Sequence, residues 1–168
     1  MRPSDLRIVG QPAIAGYVAA PPQTYELAWR LAKDELAVRV LRGNKMRSTP
    51  RLFDEFGAAL QFPDYFGENW AAFEECMTDL SWLPAAGYVL LIVQSEEVLT
   101  DEDDETLDLL RRILVRAYER WATPVAKGES WDRPARPFHV VLQIPPERSV
   151  LAMDRWAIAD ADTLQDID

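Results

Sequence analysis

The sequence predicts an α/β protein in which a small, three-stranded parallel sheet is packed with helices. Three runs of strand length are rich in Val, Leu and Ile, and these are Leu36–Leu41, Tyr88–Val93 and Phe138–Ile144. Amphipathic helical stretches separate the runs, and strands joined by helical crossovers usually pair in parallel. The second run is apolar without alternation, which is typical of a parallel strand buried on both faces.

The N-terminal region precedes the first predicted strand, and the sequence leaves open whether it covers the sheet, extends it or binds something else. Residues 1–24 contain four prolines, so we expect an irregular lead-in there. A short helix is predicted over Tyr25–Asp34. The apolar side chains that this helix offers for docking are Leu27, Trp29 and Leu31.

Two helices are predicted between the first and second strands. The first begins after Ser48, with Thr49 as its candidate cap and Pro50 at its first position, where a missing N–H costs nothing. Its apolar stripe comprises Leu52, Phe53, Phe56, Ala59 and Leu60. The second spans about Glu68–Leu80, and its buried stripe comprises Trp70, Phe73, Met77 and Leu80. Just before it, Gly67 is expected to supply a positive φ and Asn69 to cap the helix.

A third helix, a strand and a tail complete the chain. Acidic residues at 101–103 mark the start of the helix, because carboxylates stabilise a helix N-terminus. Beyond the strand, we expect the tail to pack back at first and to fray over Asp160–Asp168. The apolar residues available for that packing are Leu151, Met153, Trp156 and Ile158. The predicted division is an N-terminal extension at 1–35, a domain at 36–145 and a tail at 146–168.

The charge of the chain is unevenly distributed. The formal net charge is −10, yet residues 52–110 hold fifteen acidic residues and no Lys or Arg, whereas the remainder has 18 bases and 13 acids. Nothing in this acidic block can displace the counterions of phosphates, which argues against a nucleic-acid partner. The block is typical either of a solvated surface or of one that attracts a basic protein.

Cysteine and histidine are too scarce for several kinds of site. Cys76 is the single cysteine, which excludes an intramolecular disulfide, and Cys76 and the single His139 cannot build a thiolate or imidazole metal site. His139 lies in a strand pattern without an evident partner, so we do not expect it to act as a general base. No apolar run approaches the roughly 20 residues of a membrane span, and the N-terminus lacks a signal-peptide core. We expect a cytoplasmic, non-enzymatic protein that has no cofactor and does not bind membranes.

The segment Phe62–Leu83 is the most distinctive part of the sequence. Its characteristic features, in order along the chain, are Pro63, the aromatic pair Tyr65-Phe66, the sequence Gly67-x-Asn69, Cys76 near the end of a helix, and Thr78. This pattern resembles the signature of the barstar family, and the order of strands and helices over about Leu36–Ile144 is similar as well. The resemblance implies a protein inhibitor of a basic ribonuclease, or an immunity protein against a related bacterial toxin, which blocks the active site of its target with an acidic helix.

The resemblance also implies which residues contact the partner. Glu75 matches the key helix carboxylate, with Glu in place of Asp, and Tyr65 matches an aromatic of the preceding loop. Ala71 stands where the family usually has a second Asp, and Glu74 where its best-known member has Trp. A further acid, expected on the following helix, is missing, because Arg116 or Ala117 stands near its position. The full set of candidate partner-binding residues is Tyr65, Glu68, Ala71, Glu74, Glu75, Thr78 and Asp79.

Other functions remain open at this point. An adaptor or regulator with the same fold and a different partner is the main alternative, and Ala71 and Glu74 favour it. Paired carboxylates among Glu74, Glu75 and Asp79 also suggest a hydrolase or a Mg²⁺ or Ca²⁺ site. The lack of any Arg, Lys or His in the acidic block and of a phosphate-binding loop argues against an enzyme. The same acids also have a simple interpretation as solvated helix residues, and Tyr65 as a staple that holds its loop to the sheet.

Overall fold

The computed structural model describes residues 1–10, 12–33 and 35–165. The strands are β1 (Ile14–Val18), β2 (Leu36–Arg42), β3 (Gly87–Val93) and β4 (Phe138–Ile144). The helices are α1 (Pro21–Leu31), α2 (Thr49–Leu60), α3 (Trp70–Asp79), α4 (Asp104–Ala122) and α5 (Ser149–Trp156). The order of strands and helices predicted over residues 36–144 is confirmed.

The sheet is parallel throughout, with the strand order β1-β4-β3-β2. The predicted α/β class is confirmed, but the predicted number of three strands is wrong. The fourth strand, β1, comes from the residues for which an irregular lead-in is expected. Its sequence, Ile-Ala-Gly-Tyr-Val, lacks the run of β-branched residues that marks a strand, and pairing with β4 in the tertiary structure decides its conformation.

The central strands β3 and β4 are buried along their whole length. Alternate residues of these strands, such as Leu90 and Val140, pack into a large core with α2, α3 and α4. The residues between them, such as Val89 and Val141, form a second core on the opposite face. The N-terminal side chains that cover this second face are Leu6, Leu27 and Leu31. The N-terminal region therefore both extends the sheet and covers the face opposite to α3.

Helix α1 begins four residues before its predicted start. Pro21 and Pro22 occupy its first turn, where their fixed φ suits a helix and no N–H is needed. Of its predicted docking residues, Leu27 and Leu31 are buried, but Trp29 is 64% exposed and lies under the ammonium group of Lys33, 3.7 Å from the ring centroid. The prediction that Trp29 docks is therefore wrong. Asp34, at the predicted end of the helix, lies outside the described residues.

The start of α2 and the edge of β2 both depend on glutamates. Ser48 precedes the helix and makes no side-chain cap; instead, the backbone N–H of Thr49 donates to Oε1 of Glu102 at 2.7 Å. Thr49 is thus the first helical residue rather than the predicted cap. At the sheet edge, Glu55 accepts hydrogen bonds from the backbone N–H of Arg42 at 3.0 Å and from its guanidinium at 2.8 Å. The guanidinium bond lowers the pKa of the Glu55 carboxyl, and the pair closes part of the edge of β2.

His139 has two backbone partners that the sequence pattern does not reveal. Its Nδ1 lies 3.1 Å from the carbonyl oxygen of Pro12, and its Nε2 lies 3.0 Å from that of Ile8. The side chain is buried. It therefore ties the segment before β1 to β4.

The C-terminal tail is ordered further than predicted. The indole N–H of Trp156 donates to the carbonyl of Ser95 at 3.0 Å, so α5 packs back onto the main core as expected. Farther along, the N–H of Leu164 donates to the carbonyl of Gly16 at 2.6 Å, and the Leu164 side chain is buried in the second core. The prediction of fraying is therefore wrong for residues 160–165, while residues 166–168 lie outside the described part of the chain. Leu151, in contrast, is exposed.

We expect Leu6→Ala to lower the free energy of unfolding by about 2–5 kcal/mol, because it leaves a cavity in the second core. Ile8→Ala, two residues away at a side chain that is 60% exposed, is the matched control and should change it by less than about 0.5 kcal/mol. Urea unfolding measures both values. Equal effects of the two substitutions would contradict the assignment of the N-terminal segment to the core.

Candidate protein-binding site

The start of α3 is set by three consecutive residues. The side chain of Asn69 accepts a hydrogen bond from the N–H of Ala72 at 3.0 Å, which confirms it as the helix cap. The positive φ expected at Gly67 is found instead at Glu68, where φ is 48°. A Cβ at Gly67 would lie 3.0 Å from Nδ2 of Asn69, so the capping side chain would have to shift slightly to admit a larger residue there. Glu68 itself is exposed beside the helix N-terminus.

A cluster of aromatic rings holds the loop at 61–69 and α3 against α2. Ring centroids lie 5.0 Å apart for Phe53 and Trp70, 5.0 Å for Phe56 and Phe73, and 4.9 Å for Phe62 and Phe66, all in edge-to-face arrangements. The predicted buried stripe of α3 is confirmed at Phe73, Met77 and Leu80, while Trp70 is half-buried. Because this cluster occupies the inner side of α3, the polar side chains of the helix face outwards.

Three of the predicted contact residues lie around one small depression. Tyr65, Glu75 and Asp79 line a cavity of about 50 Å³, together with Cys76. The Tyr65 side chain is 77% exposed. Within the described residues neither carboxylate forms an ion pair, and Asp79 accepts one hydrogen bond, from the Ser81 hydroxyl at 3.2 Å. Glu75 and Asp79 are one turn apart, so their like charges destabilise the helix slightly unless a cation binds between them.

The remaining predicted residues of α3 lie on the neighbouring side of the helix, towards α4. Glu74 pairs with Arg116 of α4, whose Nη1 lies 3.1 Å from Oε1 and 3.2 Å from Oε2. The Thr78 hydroxyl is used within the helix, because it donates to the carbonyls of Glu74 and Glu75. Ala71 is exposed and has no polar group to offer. The structure thus separates the predicted set into a group around Tyr65, a group beside α4, and Glu68, which precedes the helix.

Several neighbours of the site are absent from the predicted set. Phe66, Ala72 and Trp82 also line the depression. Trp82 reaches it because its indole N–H donates to the carbonyl of Leu60 at 3.0 Å. Helical spacing from Glu75 and Asp79 points to Ala72, since it lies three residues before Glu75 on the same face. The pairing of Arg116 with Glu74, 42 positions apart, has no such local signal.

The acidic block of the sequence is not one surface in the structure. Many of its members are neutralised by arginines from outside the block. Glu55 pairs with Arg42, and Glu97 and Asp101 both pair with Arg47. Others cap or pair within α4, as Asp103 does with the N–H of Thr106. The carboxylates of α3 and of the loop before it that form no ion pair within the described residues therefore differ from these paired groups.

Cys76 at the depression is a poor nucleophile. Burial, together with the smaller effect of the charges of Glu75 and Asp79, raises the pKa of its thiol to about 11. The thiol is therefore protonated at neutral pH and behaves as a small apolar side chain.

Residues 1–10, 12–33 and 35–165 contain neither a cluster of metal ligands nor a membrane-spanning helix. No group of three or more His, Cys, Asp or Glu side chains is placed to hold a metal ion. No helix in this part of the chain is both long and apolar enough to cross a membrane.

Comparison with known proteins places most of the chain in one family. The model of the family described as Barstar (barnase inhibitor) matches residues 36–143, which include β2, α3 and all but the last residue of β4. The match leaves out β1, α1 and α5, so these elements are additions to the matched region. No curated protein matches the sequence.

One solved structure illustrates the fold. A chain in the structure titled "Structure of Drosophila ORC bound to AT-rich DNA and Cdc6" superposes with a TM-score of 0.50 and 14% sequence identity. The superposition covers 91% of the present chain and 47% of that chain, so the present chain spans about half the length of its structural neighbour. At this identity the similarity concerns the fold alone.

Substitution of Glu75 by Gln should lower the pKa of the Cys76 thiol but leave it above 9, because burial is the larger cause of the shift. The pH at which alkylation by iodoacetamide reaches half its maximal rate measures the pKa. In the wild type we expect this midpoint near 11. Glu26→Gln removes a similar exposed charge from α1 and should not move it. A wild-type midpoint at 9 or below would contradict the described environment of the thiol.

Proposed function

The chain belongs to the barstar family, and from this premise we propose that it is a protein inhibitor that blocks the basic active site of a ribonuclease or related toxin. The acidic helix α3 and the Tyr65 loop form the contact surface. The target binds by protein–protein contact alone, and the inhibitor itself has no catalytic role. In this proposal it acts in the cytoplasm of the cell that makes the target.

The observation that carries the proposal is that two carboxylates, which form no ion pair within the described residues, lie beside an exposed aromatic ring. Glu75 and Asp79 face solvent one turn apart, and Tyr65 stands next to them across the depression. A cation that binds between the two carboxylates relieves their repulsion, and a tyrosine ring offers it a further attractive face. A ribonuclease active site is rich in such cations because it binds phosphate.

The electrostatics of the surface also suit a basic partner. No Lys or Arg occurs in residues 52–110, so the segment that contains α3 and its preceding loop contributes no positive charge of its own. Opposite charges on two proteins accelerate their association and restrict the choice of partner. Both effects weaken with salt, since the Debye length is about 8 Å at physiological ionic strength.

The position of the N-terminal region leaves this surface free. Had residues 1–33 covered α3, a partner would first have to displace them. Instead Leu6, Leu27 and Leu31 pack on the opposite face of the sheet. The division into a barstar-like domain at 36–145 with an extension and a tail is part of the proposal, with the extension as the cover of that face.

A second candidate function has its own support. The ion pair between Glu74 and Arg116 brings a positive charge to the edge of the acidic surface. Ala71 adds no carboxylate on the same side. A family member that serves as an adaptor or regulator for a different protein would account for both features.

The test is calorimetric titration with a small basic ribonuclease of the barnase type, at low and at physiological salt. We expect binding that weakens with salt, and a loss of at least about thirtyfold in Glu75→Gln, since removal of one partner from a buried charge pair costs about 2–5 kcal/mol. Glu26→Gln on α1 is the matched control and should bind like the wild type.

Two results would count against the proposal. No binding by the wild type at either salt would exclude this type of ribonuclease as the target and favour the adaptor function. Binding that Glu75→Gln and Glu26→Gln weaken equally would show that α3 is not the contact surface.

A further inference from the structure

Arg116 is a cation placed at the border of an otherwise acidic surface. Its Nη1 contacts both carboxylate oxygens of Glu74, and this is the one ion pair that an acid of α3 forms within the described residues. The pair is open to solvent, with side-chain exposures of 58% for Arg116 and 34% for Glu74. A pair this exposed contributes little to stability by itself.

The hydrogen-bonding capacity of Arg116 is mostly unused. A guanidinium carries five N–H donors, and the contact with Glu74 uses Nη1 alone. Nε and Nη2 have no acceptor among the described residues. Arg116 also lines a groove of about 920 Å³ between α4, the start of β1 and the end of α5, so open space adjoins its side chain.

The free donors suit a carboxylate better than any other protein group. A guanidinium binds a carboxylate through two parallel N–H···O bonds, and such charge-assisted pairs are both strong and specific in geometry. A lysine or arginine of a partner at the same place would instead meet a like charge and leave the donors unpaired. Arg116 therefore favours partners with an acid at this point and disfavours partners that are basic throughout.

We infer that Arg116 is a specificity-determining residue of the α3 surface, which binds a carboxylate of the partner while Glu75 and Asp79 bind its cations. This inference rests on the proposed function, because it assigns a second, oppositely charged contact to the same surface. The partner is thus a basic protein with an acidic side chain beside its cations.

Arg112 provides a matched control for Arg116. It lies one turn earlier on α4, is exposed, and lines the same groove. It forms no ion pair within the described residues. Arg116→Glu and Arg112→Glu change the net charge equally, so any difference between them comes from position rather than from general steering.

The experiment measures association rate and affinity of both variants for a small basic ribonuclease of the barnase type. This ribonuclease serves as a partner that is basic throughout and lacks the inferred acid, so Arg116 meets a like charge in it. We therefore expect Arg116→Glu to bind it about tenfold or more tightly than Arg112→Glu. Arg116→Gln, which removes the charge without repelling Glu74, should show a smaller gain of the same sign. Circular dichroism shows whether Arg116→Glu folds. If it does not, Arg116→Gln still tests the inference.

A second arm tests the partner carboxylate directly. Single Lys→Glu and Arg→Glu variants of the ribonuclease are titrated with the wild-type protein and with Arg116→Gln. At least one of them should bind the wild type about tenfold more tightly than it binds Arg116→Gln, as expected for a new pair between a carboxylate and Arg116.

The outcomes separate the two proposals. If Glu75→Gln loses binding while Arg116→Glu and Arg112→Glu bind equally, or no ribonuclease variant distinguishes the wild type from Arg116→Gln, the inference about Arg116 is wrong and the inhibitor function stands. If the wild type and all variants fail to bind at either salt, the inhibitor function is wrong for this ribonuclease type, and the inference that rests on it falls as well.

Discussion

The architecture depends on one constraint, which is that β3 and β4 are apolar on both faces. A strand of this kind is stable only if both sides of the sheet are covered. Helices α2 to α5 cover one side, and the N-terminal segment with α1 covers the other. This arrangement explains why residues outside the family match form part of the core, and it places the N-terminal ones on the side of the sheet opposite to α3.

The aromatic cluster beneath α3 anchors this helix, so that its outer side can serve as a binding surface. Phe56 packs edge to face on Phe73, Phe53 packs on Phe73 at a tilt, and Phe62 and Phe66 extend the cluster into the preceding loop. With its inner side anchored in this way, a helix of only ten residues presents its carboxylates in fixed positions. Fixed positions matter for binding because the groups need not be ordered when the partner arrives.

The pattern of charge on the surface of the structure is more detailed than the block of acidic residues in the sequence. Fifteen acids without a base suggest a single negative surface, yet arginines from the flanking segments neutralise several of them, as Arg47 does for Glu97 and Asp101. Among the residues that the structure describes, what remains is a narrower pattern, in which Glu75 and Asp79 form no ion pair and Arg116 lies at their border. Such a mixed pattern restricts the choice of partner more than a uniform charge does, because a wrong partner meets a like charge.

The sequence alone determined the α/β class, three of the four strands and the buried stripe of α3, since these follow from local periodicity and from apolar runs. It also determined the family, through the ordered motif from Pro63 to Thr78. It did not reveal β1, whose Gly and Ala give no strand signal, nor the contact between Leu164 and Gly16. The tertiary structure alone decided which acids stay unpaired and placed Arg116 beside Glu74. Ion pairs between residues tens of positions apart form where packing brings the two side chains together. No local sequence pattern indicates which residues will meet in this way.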